Sequence, residues 1–175
     1  MTVITVYTTQ KQSDLAAVSA QKFFEMYGGA PYPRYIQHYN QYHIAGTFSA
    51  DAIRAIAHNS PILYNRNNQH MITDATLFNP EHHFFVIKRR EPLRCTNQIQ
   101  AFRAVMPASQ TIEAMYVSDM WALDFSEPIP VSDMISRFMM GAPNTTALFA
   151  HPLCHTVEHL PFDALKAQLT GVVQG

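Results

Sequence analysis

An α+β fold, one antiparallel β-sheet with helices packed on or beside it, is predicted by three observations. Apolar residues recur at three and four positions through the first 60 residues, and after Pro61 short runs alternate as strands do. The third is composition: with 47% hydrophobic and 14% charged residues, a chain of 175 holds enough apolar material for one core. Helices first and strands later is the pattern of segregated α+β architecture. No internal repeat, low-complexity tract or linker divides the sequence, so a single domain over 1–175 is expected.

Val3 to Thr8 is rich in β-branched residues and reads as a strand. Ser13 is placed to cap a helix carrying Leu15, Val18, Phe23 and Met26, which Gly28-Gly29 would stop. After the Pro31-Tyr32-Pro33 turn, Tyr35, Ile36, Tyr39 and Tyr42 follow helical spacing, and Ser49 can cap a further helix with Ala52, Ile53, Ile56 and Ala57. Ile62 to Tyr64 and His70 to Thr73 read as short strands able to pair across the Asn65–Asn68 turn. Phe84 to Cys95 and Ile99 to Met106 read as a long hairpin turning at Thr96-Asn97-Gln98 and closed by Pro107. Ser132 can cap a short helix Asp133 to Met140 ended by Gly141. His151 to Leu160 is extended, and Asp163 can cap a terminal helix to Leu169.

Charge and composition exclude several classes. Twelve Lys and Arg against thirteen Asp and Glu leave no basic surface for a generic polyanion, so nucleic acid is not an expected partner. A membrane-spanning helix needs about 20 apolar residues in a row, and His, Asn, Arg and Pro interrupt every apolar stretch, so no span is expected. No secretory signal is visible at the N-terminus, which gives a cytoplasmic expectation. Cys95 and Cys154 have neither metal nor redox spacing and read as reduced packing residues. His151, His155 and His159 are spaced by four, as in a helical metal ladder, but Pro152 argues against a helix there, and no metal or cofactor is expected. As a strand, the same three would share one face with Leu153 and Val157 between them.

Strand alternation places Lys88, Arg90, Pro92 and Arg94 on one face of the first hairpin arm, a cationic row, and sets Arg103 in an apolar row with Ile99, Ala101 and Val105. A guanidinium in that setting calls for a carboxylate, either an internal one such as Glu91 or Glu113, or a ligand's. No phosphate-cradling Gly-rich loop, nucleophile elbow or deaminase zinc pattern occurs.

Four collinear segments give the chain a resemblance to the chorismate pyruvate-lyases. Arg90-Glu91-Pro92-Leu93-Arg94-Cys95 is similar to the family's R-E-x-L-x-C strand and Arg103-Ala104-Val105-Met106-Pro107 to its R-x-V-x-P strand. Ile135-Ser136-Arg137-Phe138 resembles its L-G-R-[YF] helix start, and the run from Pro152 to Pro161 its closing P-L-x-x-T-E-x-x-L-P strand. Thr47-Phe48-Ser49 is similar to an apolar-Thr segment that lines the family's pocket. The resemblance spans about Ile44 to Pro161 and implies a chorismate lyase-like fold, a small aromatic or enolpyruvyl carboxylate as ligand, and elimination of pyruvate to leave a hydroxybenzoate, without metal or redox cofactor. It implies carboxylate contacts from Arg90 with Arg94 or Arg103, ring walls from Phe48, Ile135 and Val157, and an acid-base role for Glu158, His155 or His159. The family's glutamate after the closing Thr falls on Val157 here, with Glu158 one place later. A strand bulge would be needed to bring Glu158 to that position, and His155 and His159 would otherwise flank it. A non-catalytic binder of aromatic acids, like the UTRA effector domains, is the alternative reading.

Overall fold

The computed structural model describes residues 1–27, 31–140 and 149–171. Six antiparallel strands, β1 (Thr2–Gln10), β2 (Pro33–Thr47), β3 (Gln69–Ile72), β4 (His83–Arg89), β5 (Thr111–Phe125) and β6 (His155–Leu160), form one sheet in the order β3-β1-β2-β5-β4-β6. The helices are α1 (Leu15–Tyr27), α2 (Ala50–Asn59), α3 (Thr96–Val105), α4 (Val131–Asp133, continued by a π-helix over Met134–Met139) and α5 (Phe162–Thr170). The expected α+β class with an antiparallel sheet is what the chain adopts. No helix among the described residues is long and apolar enough to cross a membrane.

Residues directly opposite in an antiparallel pair share a face, so the strand register sorts the core. On one face, Ile4, Val6, Ile44 and Met115 lie under α2 and α3, packed with Ile53, Ala57, Ile99 and Phe102. On the same face Ile36, Phe85, Ile87, Trp121 and Leu123 lie under α1 and the π-helix, through Ala17, Ala20, Phe24, Met134 and Phe138. This is the two-lobed face. The other, the α5 face, has Tyr7, Tyr39, Phe84, Val86, Met120 and Leu160 packed with Phe78 and with Leu165 of α5. A register shift between Ala45 and Gly46, with Gly46 opposite Ile112 and Ala45 opposite Ala114, gives β5 one extra residue. On a regular strand Ile112 and Met115 would point to opposite faces; the bulge sends both into the same core.

Two helical and hairpin expectations are corrected. Tyr35 to Tyr42 belongs to β2: Ile36 is buried on the two-lobed face and Tyr39 on the α5 face, so a strand covered on both sides imitates helical spacing. The expected hairpin is instead a strand that ends at Arg89 and a helix, α3, whose Ile99 and Phe102 form one buried stripe with Met106 just past its end. Pro92, which has no backbone N–H, lies in the segment where pairing has stopped. Ile62 to Tyr64 is a bend, and β3 pairs with β1 instead.

The remaining elements occur near their expected places, with different caps. Asp14, not Ser13, accepts a hydrogen bond from the Ala16 N–H at 2.8 Å, and the positions before α4 and α5 are Pro130 and Pro161. Ser49 caps α2 as expected, accepting from the Ala52 N–H. In α1 the buried face is Ala17, Ala20 and Phe24, whose two small residues allow close approach to the sheet, while Leu15 and Met26 are exposed. His151 to Cys154 forms a turn ahead of β6, with the His155 N–H donating to the His151 carbonyl at 2.9 Å. The expected stops at Gly28-Gly29 and Gly141 lie outside the described residues.

Candidate functional site

The α5 face carries an open groove of about 520 Å³ whose lining includes His43, Lys88, Arg90, Tyr116, Ser118 and Thr156. Sheet register assembles it from four strands. His43 of β2 lies opposite Tyr116 of β5, Gln41 opposite Ser118, and Lys88 of β4 opposite Thr156 of β6. Arg90 sits one step past the end of β4, held by its N–H to the Cys154 carbonyl at 2.8 Å, while its guanidinium donates to the Pro152 carbonyl at 3.2 Å.

Lys88 forms an ion pair with Glu158, both side chains being about half exposed (45% and 55%). Such a pair is worth at most about 1 kcal/mol, so an incoming anion can take over the ammonium at little cost. His43 is held uncharged: burial, reinforced by the Lys88 charge and only partly opposed by Glu158, lowers its pKa to about 4. Its Nε2 is buried and has no hydrogen-bond partner among the described residues. Beside it Gln41, 1% exposed, donates through Nε2 to Tyr7 Oη at 2.8 Å and to Gln168 Oε1 at 3.1 Å, while its own Oε1 has no partner among the described residues. Burial also raises the pKa of the Tyr7 phenol, which donates to Gln168 Oε1. The groove thus sets three cations, Lys88, Arg89 and Arg90, and a neutral imidazole beside hydroxyls and an aromatic ring, a donor-rich surface suited to an organic anion.

The residues proposed from sequence divide between the two faces. Arg90 lines the groove, and Glu158, opposite Val86, is on the α5 face without any bulge in β6. Val157, opposite Ile87, and His159, opposite Phe85, are on the two-lobed face, as is His155, opposite Arg89. These two histidines are therefore not brought together with Arg90, because odd and even positions of a regular strand point apart. His155 Nδ1 accepts from the His151 N–H at 3.0 Å, while His159 packs against Phe85 and His83, and burial and His83 lower its pKa. Phe48 is buried beneath α2 and α3, whereas Ile135 and Val157 pack on the α1 lobe, so the three do not wall one slot.

Arg103, expected in a strand row, is on α3 and donates to the Ile112 carbonyl at 2.9 Å; Arg94 donates to the Glu113 carbonyl. Both guanidiniums bond backbone at the start of β5. Arg103→Met should therefore lower stability by about 1–2 kcal/mol in a urea melt and leave the affinity of the groove unchanged in calorimetry.

His43, Ser118, Tyr116 and Thr156 were not candidates from sequence. Only Lys88 and Arg90 left a signal, as a cationic alternation. A separate polar cluster on the two-lobed face joins His38 to Asp14 at 3.3 Å and to Asp119 at 2.9 Å, with the imidazole against Trp121. Among the described residues no group of three or more His, Cys, Asp or Glu side chains gathers as a metal site would require. No family model, curated protein or solved structure matches the chain.

Proposed function

We propose that the protein binds a small carboxylic acid, aromatic or enolpyruvyl, in the groove on the α5 face. The observation that carries this reading is Lys88 and Arg90 lining one groove with an uncharged His43 whose Nε2 has no partner among the described residues. The cations take the carboxylate and His43 takes a polar group elsewhere on the ligand, while Tyr116 covers the ring. About 520 Å³ is room enough for a ligand of this class. Titration of 4-hydroxybenzoate into the wild type by calorimetry tests it. Saturable binding is expected, weakened about tenfold in Arg90→Met and in Lys88→Met. Equal affinity in all three proteins would remove the groove from the reading.

A second reading is elimination of pyruvate from chorismate, and His43 is the feature that favours it, being a neutral base in a groove lined by Lys88, Arg89 and Arg90. In that reaction the ring C–H proton next to the ether oxygen passes to the imidazole, its electron pair forms the new ring double bond, and the C–O bond breaks. Enolpyruvate leaves and is protonated to pyruvate. Glu158 serves here as partner of Lys88, and His155 and His159 take no part. Incubation of the wild type with chorismate, with pyruvate measured enzymatically, decides between the readings: release above the spontaneous rate and lost in His43→Phe supports elimination, and binding without release supports the carboxylate holder. Val157→Glu, on the face away from Arg90, should not raise either activity; a gain of pyruvate release in that variant would contradict this arrangement.

A further inference from the structure

At the β3 edge of the sheet, strand pairing stops early. β3 reaches only to Ile72, opposite Tyr7, whereas β1 runs back to Thr2 against β2. The peptide groups of Val6 and earlier residues that point away from β2 therefore have no strand partner among the described residues. The notch so formed is walled by α2 and by Leu169 of α5, and encloses a cavity of about 390 Å³. Its lining surface is mainly apolar, from Val6, Ala55, Met71, Ile72 and Leu169, with Thr5, His58, Asn59 and Thr73 among them, and Arg54 brings its one permanent charge.

Arg54 is poorly satisfied there. Among the described residues its buried Nη2 has no hydrogen-bond partner, and its one ion pair is with Asp51, a turn earlier in α2, at 3.8 Å from Nη1 on a side chain that is 97% exposed. Leaving a buried donor of a charged group unpaired costs more than an ordinary missing hydrogen bond. Gly171, in the left-handed region at φ 76°, lets the guanidinium sit where a Cβ would come within 3.0 Å of Nη2. A single permanent positive charge in a mainly apolar lining is complementary to a single carboxylate on an apolar body; a phosphate dianion would find only half its charge met.

We propose that this edge cavity is a second binding site, separate from the groove, for a small monocarboxylic acid: the carboxylate pairs with the Arg54 guanidinium, and its hydrocarbon part fills the space against Val6, Met71, Ile72 and Leu169. The probes are hexanoate and hexanamide, alike in shape and differing in charge, titrated into ¹⁵N-labelled wild-type protein. Hexanoate should shift the amides of Val6, Arg54 and Ile72 saturably, and hexanamide should bind at least about tenfold more weakly. Arg54→Met should lose the hexanoate response, and Lys88→Met should keep it because the groove is not involved. The proposal is overturned if hexanoate at about 10 mM, enough to fill a millimolar site, leaves these amides unmoved, or if hexanamide binds as well as hexanoate. It is overturned equally if the shifts fall on His43 and Ser118, or if a pentapeptide with a C-terminal valine saturates the cavity where hexanoate does not. The comparison of the two probes needs no variant to fold.

Discussion

Gly46→Ala should lower the stability of the protein by about 3 kcal/mol, the largest effect expected from one added methyl group. A Cβ at this position would stand 2.1 Å from the Thr111 carbonyl oxygen and 3.0 Å from Ile112 Cα. Both are backbone atoms of β5 and neither can rotate away, so the two strands must separate or the bulge must slip. A slip by one residue would withdraw either Ile112 or Met115, both fully buried, from the core under α2 and α3. A urea melt should show a lower midpoint with the slope kept, and the thermal midpoint should fall by about 10 °C. A variant melting within about a degree of wild type would mean that β2 and β5 do not approach each other as described.

Acidification should destabilise the protein through His43. Its pKa is about 4 in the folded chain against 6.5 for the ordinary side chain, so protons bind the unfolded chain more tightly. The stability this group contributes is complete above about pH 6.5 and is lost as pH falls toward 4, at about 1.4 kcal/mol per pH unit and up to about 3 kcal/mol in all. His83 and His159, whose pKa values burial also lowers, act in the same direction, so the comparison must be with His43→Phe, which should flatten the acid limb by His43's share. Parallel curves for the two proteins between pH 7 and 4 would show His43 to be exposed. A carboxylate in the groove would oppose the Lys88 charge and raise the His43 pKa. The wild type should therefore lose less stability on acidification with 4-hydroxybenzoate present, down to the pH where the ligand itself protonates.

The sheet was legible in sequence wherever one side of a strand meets one environment. Val3 to Thr8 and Ser49 with α2 announce themselves by β-branching and by a cap. β2 does not, because it crosses beneath two helix lobes on one face and α5 on the other, and its buried positions Ile36, Tyr39 and Ile44 then follow the covering layers in place of a two-residue alternation. Ile99 to Met106 failed for the opposite reason: ten residues of helix leave only two buried positions, Ile99 and Phe102, and Ile99, Ala101, Arg103 and Val105 happen to alternate. Of the site, Lys88 and Arg90 were visible as neighbouring cations on one strand face. His43, Tyr116, Ser118 and Thr156 come from three other strands, and only the register, which no local pattern encodes, puts them beside Lys88.

The strand order also governs how the chain must assemble. The two longest strands, β2 and β5, lie side by side at the centre of the sheet, yet Arg34 and Asp124, which bond across them at 2.6 Å, are 90 residues apart. Lys88 and Glu158, which join β4 to the edge strand, are 70 residues apart. Closing such loops costs chain entropy before any side chain is buried, and proteins dominated by distant pairings fold slowly, in milliseconds to seconds. β1 and β2, only a helix apart, can pair first and must wait, with one edge of β2 open, until β5 (Thr111–Phe125) has been made. That interval is when the newly made protein is most exposed to pairing with a second copy of itself.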